Sequence, residues 1–291
     1  MDQAEKLRTI IKQQNQINVS NARIITVTSG KGGVGKSSTA INLALQFRRM
    51  GKRVIIFDAD FGLANIEVMF GVIPKYTLAD MMFKGKDLKE ILTEGPEGVQ
   101  FVSGGSGIAR LVNLDHEQVK RMVYKMSELE TMADVIIIDT GAGISPSVLE
   151  FVAASPEVIL VTTPEPTSIT DSYALLKALA MFPGYDQTAN KIRVIANKVS
   201  TQAESHSIYE KLSAVVNRFL GLGIDYLGAV PMDNAITKAI MKQKPVSIVY
   251  PTSASANAYH NICIALENGQ DSIPHQKKGV ARFFGTIFGK R

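Results

Sequence analysis

The chain has 291 residues and 45% hydrophobic content, enough to bury a sizeable core. Its single cysteine, Cys263, gives neither a disulfide framework nor a paired-thiolate metal site. The net charge of +5 is carried by Lys277, Lys278, Arg282, Lys290 and Arg291, so residues 1–274 sum to zero and a uniformly basic nucleic-acid-binding body is not indicated, which leaves room only for a local basic patch.

Residues 1–20 are polar and Gln-rich, without a signal-peptide core. "RIITVTSG" (23–30) is a short β-branched run ending at glycine and is predicted to be a buried strand. "KSSTAINLALQFRRMG" follows with helical spacing of Ile41, Leu45 and Met50, and Gly51 stops it. Further strands are predicted over 53–60, 98–105 and 133–143, with an amphipathic helix over 116–132. Three strand-then-loop units come next, at 157–166, 191–200 and 225–233. Helical patterns at 167–182, 204–219 and 253–267 separate and follow them. Alternating strands and helices predict an α/β fold, a mainly parallel sheet with helices on both faces. Ligands of such sheets lie at the carboxyl ends of the strands. The chemically distinctive residues all fall just after predicted strands. No apolar run is long enough to span a membrane, and a cytoplasmic location is expected.

The first of these positions is "GKGGVGKSS", residues 30–38. Its spacing, Gly30-x-x-x-x-Gly35-Lys36-Ser37, lies between a strand and a helix, the arrangement of a phosphate-binding loop. Glycines let backbone N–H groups curl around phosphate, and the helix N-terminus adds its positive end. Gly30, Lys31, Gly32, Gly33, Val34, Gly35, Lys36, Ser37 and Ser38 are therefore the candidate ATP-binding loop. Lys36 is expected to reach the β- and γ-phosphates and Ser37 to ligate Mg²⁺. In "DADFGLAN" (58–65), Asp58 and Asp60 are two residues apart and share one face if the strand continues. Paired carboxylates there suit the water shell of Mg²⁺ and the orientation of an attacking water. Asp139 ends the apolar run of "IIIDTGAG", a costly place for a carboxylate without a cation or donors. In "NKVS" (197–200), Ser200 stands where a guanine reader needs an acid, while Asn197 alone can pair with adenine. ATP is thus expected over GTP. In the tail, Val280, Phe283, Phe284, Ile287 and Phe288 form one apolar helical face beside basic residues. That pattern predicts a membrane-surface helix on anionic lipid, ordered only when lipid is bound.

Together, "KGGVGKSS", "DADFGLAN", "DTGAG", "TTPEPTSITDSY" and "NKV" resemble the MinD/ParA family of P-loop ATPases with a deviant Walker A loop, over roughly residues 22–268. The resemblance implies a single P-loop NTPase domain and an ATP-dependent homodimer. It also implies that Lys31 crosses to the partner's nucleotide, that Asp60 orients water, and that Asp58 and Asp139 serve the Mg²⁺ site. The catalytic set is then Lys31, Lys36 and Asp60; the metal set is Ser37, Asp58 and Asp139. Thr140-Gly141 departs from the family's usual Ser/Thr/Ala-Pro at that loop. The opening "DQAEKLR" is similar to the activator segment of the FlhG (YlxH/FleN) group within the family. That likeness implies stimulation of an FlhF-type GTPase, with Gln3 and Arg8 as the activating residues, and contact with flagellar basal-body (C-ring) proteins. The implied location is peripheral, on the inner face of the cell membrane when ATP is bound. No sequence-specific nucleic acid is expected as a partner. The expected organisation is an activator segment at 1–21, the ATPase domain at 22–268, a linker at 269–279 and the membrane-targeting helix at 280–291.

Overall fold

A computed structural model of the chain describes residues 22–60, 65–104, 124–183, 185–269 and 279–288. Eight strands form one sheet in the order β3-β4-β2-β5-β1-β6-β7-β8. In chain order these are β1 (Arg23–Ser29), β2 (Val54–Ala59), β3 (Leu92–Glu94), β4 (Gln100–Val102), β5 (Val135–Ala142), β6 (Glu157–Thr162), β7 (Lys191–Val199) and β8 (Asp225–Pro231). All pairings are parallel except β3 with β4. The seven predicted strands are present. β3 was not predicted, since its three residues are too short to show an alternation.

The central strands are buried from end to end, which explains their continuous Ile and Val content. On one face α1 (Lys36–Arg49) packs over β1, β2 and β5 through Ile41 and Leu45, and α6 (Ala254–Asn268) lies against α1 and β8 through Tyr259 and Ile262. On the other, α2 (Pro146–Ala154) covers β5 and β1, α3 (Pro166–Ala180) covers β1 and β6, and α4 (Gln202–Leu220) covers β7 and β8. Local signals set their ends. Ser145 Oγ accepts from the Val148 N–H with Pro146 at the first helical position, and Gly221, at φ 63°, closes α4. A shorter helix, α5 (Asn234–Met241), follows β8. Of the helix predicted over 116–132, residues 116–123 lie outside the described residues, and 124–127 and Leu129–Met132 are helical.

The amino ends of the strands are closed by a buried ion network. Arg23 donates to both Glu157 oxygens at 2.6 and 2.8 Å, and Arg193 to Glu157 at 2.7 Å. Two guanidiniums around one carboxylate satisfy its lone pairs, which is what makes such burial tolerable.

The tail differs from expectation. Val280–Phe288 is a helix, α7, seated on the protein itself. Val280, Phe283, Phe284 and Ile287 are buried against Phe57, Ile136, Ile138, Met126 and Phe151. Phe284 meets Phe57 edge-on at 5.3 Å between ring centroids, and Phe283 lies 6.1 Å from Phe151. The Val280 N–H donates to the Glu130 carboxylate, which caps the helix start. A tail ordered only by lipid is thereby corrected. Its apolar stripe finds a protein groove, and that burial offsets the helix cost of Gly285. The side chain of Phe288 lies outside the described residues, as do Gln3 and Arg8.

Candidate nucleotide site

The site lies where β1, β2 and β5 end. The chain leaves β1 at Ser29, turns through residues 30–35 and enters α1 at Lys36. Gly35 has φ 94°, a left-handed conformation that a Cβ would strain. Gly30 abuts the Asp171 carbonyl of α3 so closely that a Cβ would stand 2.1 Å from its oxygen.

The carbonyls of this loop are held from outside. Lys31 C=O accepts from Ser29 Oγ at 2.9 Å, Gly33 C=O from Lys198 Nζ at 2.8 Å and Val34 C=O from Asn197 Nδ2 at 2.6 Å. Gly35 C=O accepts from both the N–H and Oγ1 of Thr39, each at 2.9 Å. A planar peptide points each N–H opposite to the preceding carbonyl. Tying the carbonyls outward therefore turns the N–H groups inward, as an anion cradle requires.

Lys36 is buried, and its Nζ donates to Asp139 Oδ1 at 2.8 Å. Asp139 and Asp58 face each other in register on neighbouring parallel strands. Burial pushes the Asp58 carboxyl up to about 8, the Asp139 charge adds to this, and the Asp60 N–H and Lys36 oppose it. Burial also raises Asp139, against the pull of Lys36 and the Ser37 hydroxyl. Asp58 Oδ2 and Asp139 Oδ2 are buried acceptors with no hydrogen-bond donor among the described residues. Orphaned carboxylate oxygens beside a serine hydroxyl fit a hydrated cation. Mg²⁺ keeps several waters and shares phosphate oxygens, so two carboxylates and a hydroxyl suffice for it.

Asp60 lies at the open edge of this group. Its Oδ2 accepts from Asn65 at 3.1 Å, and Oδ1 faces Gly141. Thr140, in the atypical "DTGAG", points the other way, with Oγ1 on Val27 C=O and Thr28 Oγ1. Its hydroxyl thus anchors the strand end while Gly141 leaves room beside Asp60. Residues 61–64 of "DADFGLAN" lie outside the described residues.

Lys31 projects at the rim, where its Nζ donates to Glu165 Oε2 and Thr167 Oγ1, both at 2.7 Å. The lysine holds the Glu165 carboxyl below the usual carboxylate range. Asn197 is buried; besides Val34, its Oδ1 accepts the Lys198 N–H at 2.9 Å. Reading adenine from here needs either the remaining lone pair of Oδ1 or a turn of the amide. The predicted residues Lys31, Lys36, Ser37, Asp58, Asp60, Asp139 and Asn197 are thus gathered around one loop. Glu165, Thr167 and Lys198 were missed, although all three stand inside stretches singled out above. Cys263 is buried beside Met50, its thiol pushed up to about 12 chiefly by burial, and carries no reactive thiolate.

A profile described as "ParA: NUBPL iron-transfer P-loop NTPase" matches residues 20–267. The chain is 38% identical over 262 residues to the antiactivator FleN of Pseudomonas aeruginosa, covering 90% of this chain and 91% of that one. It is 32% identical to the flagellum site-determining protein YlxH of Helicobacter pylori, covering 98% of each. Among solved structures it is similar to the cell division ATPase MinD of Pyrococcus furiosus, with a TM-score of 0.68 at 22% identity, covering 85% of this chain and 99% of that one. With the loop, the paired strand-end acids and the matched length all in agreement, the chain belongs to the ParA/MinD family of P-loop NTPases.

Proposed function

We propose that this chain is an ATP- and Mg²⁺-dependent switch that dimerises, associates with membrane and regulates flagellar number and placement. The observation that carries the proposal is an intact nucleotide loop in a chain matched almost end to end by FleN and YlxH. A MinD of Pyrococcus horikoshii with the same fold was solved with Mg-ADP. The loop N–H groups and Lys36 hold the phosphates; Ser37, with Asp58 and Asp139 behind it, holds the metal site. Bound Mg²⁺ would offset charge on the β- and γ-phosphates. Asp60, half-buried beside Gly141, orients the attacking water. Lys31 leaves Glu165 and Thr167 to reach the nucleotide of a second copy, so hydrolysis waits on the homodimer. A cation arriving only on assembly supplies transition-state charge without holding it in the monomer.

Membrane association requires α7 to leave its groove, because the face that would enter lipid is the one buried on Phe57 and Phe151. One such helix binds an anionic surface marginally, whereas two in a dimer bind together. Residues 1–21 then engage an FlhF-type GTPase through Gln3 and Arg8, with basal-body (C-ring) proteins as further partners. The test is a pull-down with purified full chain and ATP. Retention of the flagellar GTPase, and its stimulation by a peptide of residues 1–20, is expected. Retention of a cell-division activator instead would shift the assignment to division-site placement, the role named for MinD relatives such as that of Synechocystis, 31% identical.

A further inference from the structure

We infer that Lys198 is a positioning residue of the nucleotide loop, holding Gly33 so that the Val34 N–H faces the phosphates. The inference rests on the nucleotide-binding reading and is independent of the flagellar one.

Three observations converge on this side chain. First, Lys198 is one of three described non-glycine residues with positive φ, at 59°. A lysine there is strained and persists only where its surroundings demand it. Second, the strain coincides with a break in strand pairing. Asn197 pairs with Val230 and Val199 with Pro231, so Lys198 is an extra residue, a bulge on β7. Bulges re-aim side chains, and this one turns Lys198 out of the strand toward the loop. Third, Lys198 Nζ ends 2.8 Å from the Gly33 carbonyl, while its own N–H is fixed by Asn197 Oδ1 at 2.9 Å. Asn197 and Lys198 therefore grip consecutive loop carbonyls, Val34 and Gly33, from one bulge.

The two grips are not redundant. The Asn197 bond fixes the peptide between Val34 and Gly35, which orients the Gly35 N–H. The Lys198 bond fixes the preceding peptide and orients the Val34 N–H. Gly33 itself has φ 77°, with nothing near its Cβ position to restrain it. Of the described contacts, the ammonium supplies that peptide's tie. Lys198 also lies close enough to lower Glu165, the partner of Lys31. Its cationic end thus stands beside the rim as well as the loop, where positive charge favours bound phosphate.

A simple turn role makes the opposite prediction for one substitution. Glycine adopts φ of 59° without strain, so Lys198→Gly relieves the bulge but removes the grip. If Lys198 only occupies the turn, Lys198→Gly is harmless or beneficial throughout. If it positions the loop, Lys198→Gly melts no lower than wild type yet releases nucleotide faster. The measurement is stopped-flow dissociation of a fluorescent N-methylanthraniloyl-ADP with Mg²⁺, with thermal melting of the same full-length chains. Loss of a charge-assisted hydrogen bond predicts about tenfold faster release for Lys198→Gly and Lys198→Met. Lys198→Arg, which keeps a cationic donor, should recover part of the loss. In steady state the KM for ATP should rise by a larger factor than kcat falls. Wild-type release rates in Lys198→Gly and Lys198→Met would overturn the inference. So would a fall in kcat with unchanged release. A wild-type chain that bound no nucleotide would overturn the underlying reading together with this one.

Discussion

Phe284→Asp tests whether α7 is a detachable part of this molecule. Phe284 is fully buried, edge-on to Phe57 and 5.0 Å from the ring of Phe283. Were the helix to stay docked, losing the ring would cost about 3–5 kcal/mol, and the buried carboxylate would add several more. Undocking has a lower ceiling. Four buried apolar side chains contribute about 1.5–3 kcal/mol each. Ordering the helix and its approach opposes them with conformational entropy of similar size, so net docking is worth a few kcal/mol. Release is therefore the cheaper response, and the sheet should survive it. Hydrogen exchange read by mass spectrometry should show residues 280–288 losing protection while β1 and β5 keep theirs, with melting lowered by only a few degrees. Persistent protection of the helix would refute this reasoning. So would collapse of the whole chain, which would make α7 integral to the core. The groove-side change Phe151→Ala separates docking from lipid affinity. It weakens the seat without altering Phe283 or Phe284 themselves, so liposome sedimentation should rise, whereas Phe284→Asp should abolish it.

Asp60→Ala should keep ATP bound, since binding rests on the loop and Lys36, and should slow hydrolysis by at least about 100-fold. A wild-type turnover rate would remove Asp60 from the chemistry. Lys31→Ala should leave nucleotide affinity of the monomer within a few-fold and weaken the ATP-dependent dimer on sizing chromatography; an undiminished, active dimer would make Lys31 a rim residue tied to Glu165 and nothing more. Asp58→Asn should stabilise the nucleotide-free chain and weaken Mg²⁺-dependent binding. With its folded-state value raised to about 8 from 3.8, Asp58 keeps a proton that the unfolded chain loses, so wild-type stability from this group falls as pH rises between those values. The advantage of Asn should accordingly grow by about 1.4 kcal/mol per pH unit across part of that window in urea unfolding. An advantage that shrinks with rising pH would contradict the assigned shift.

How much of this was legible in sequence depended on whether the physics was local. Strand, loop and helix follow one another at residues 23–49, so the phosphate cradle could be read from spacing alone. Asp58 and Asp139 were legible for a different reason. A carboxylate after a β-branched run announces a buried cost, and parallel register then sets the two side by side. Lys198 was hidden because its role belongs to a bulge, a mismatch between β7 and β8 that neither strand declares alone. Glu165 was hidden because its partner, Lys31, stands 134 residues away. The tail sits between these cases. Its stripe of Val280, Phe283, Phe284 and Ile287 states that something apolar must cover it, and the basic flanks point to lipid. No periodicity distinguishes a bilayer from Phe57 and Phe151, for both offer hydrocarbon to the same face. Under the proposed membrane role, a helix suited to two apolar surfaces, one within its own chain, would be bistable by composition. The balance between them is then decided by whatever changes the groove, and the groove is walled by β2 and β5, the strands whose ends carry Asp58 and Asp139.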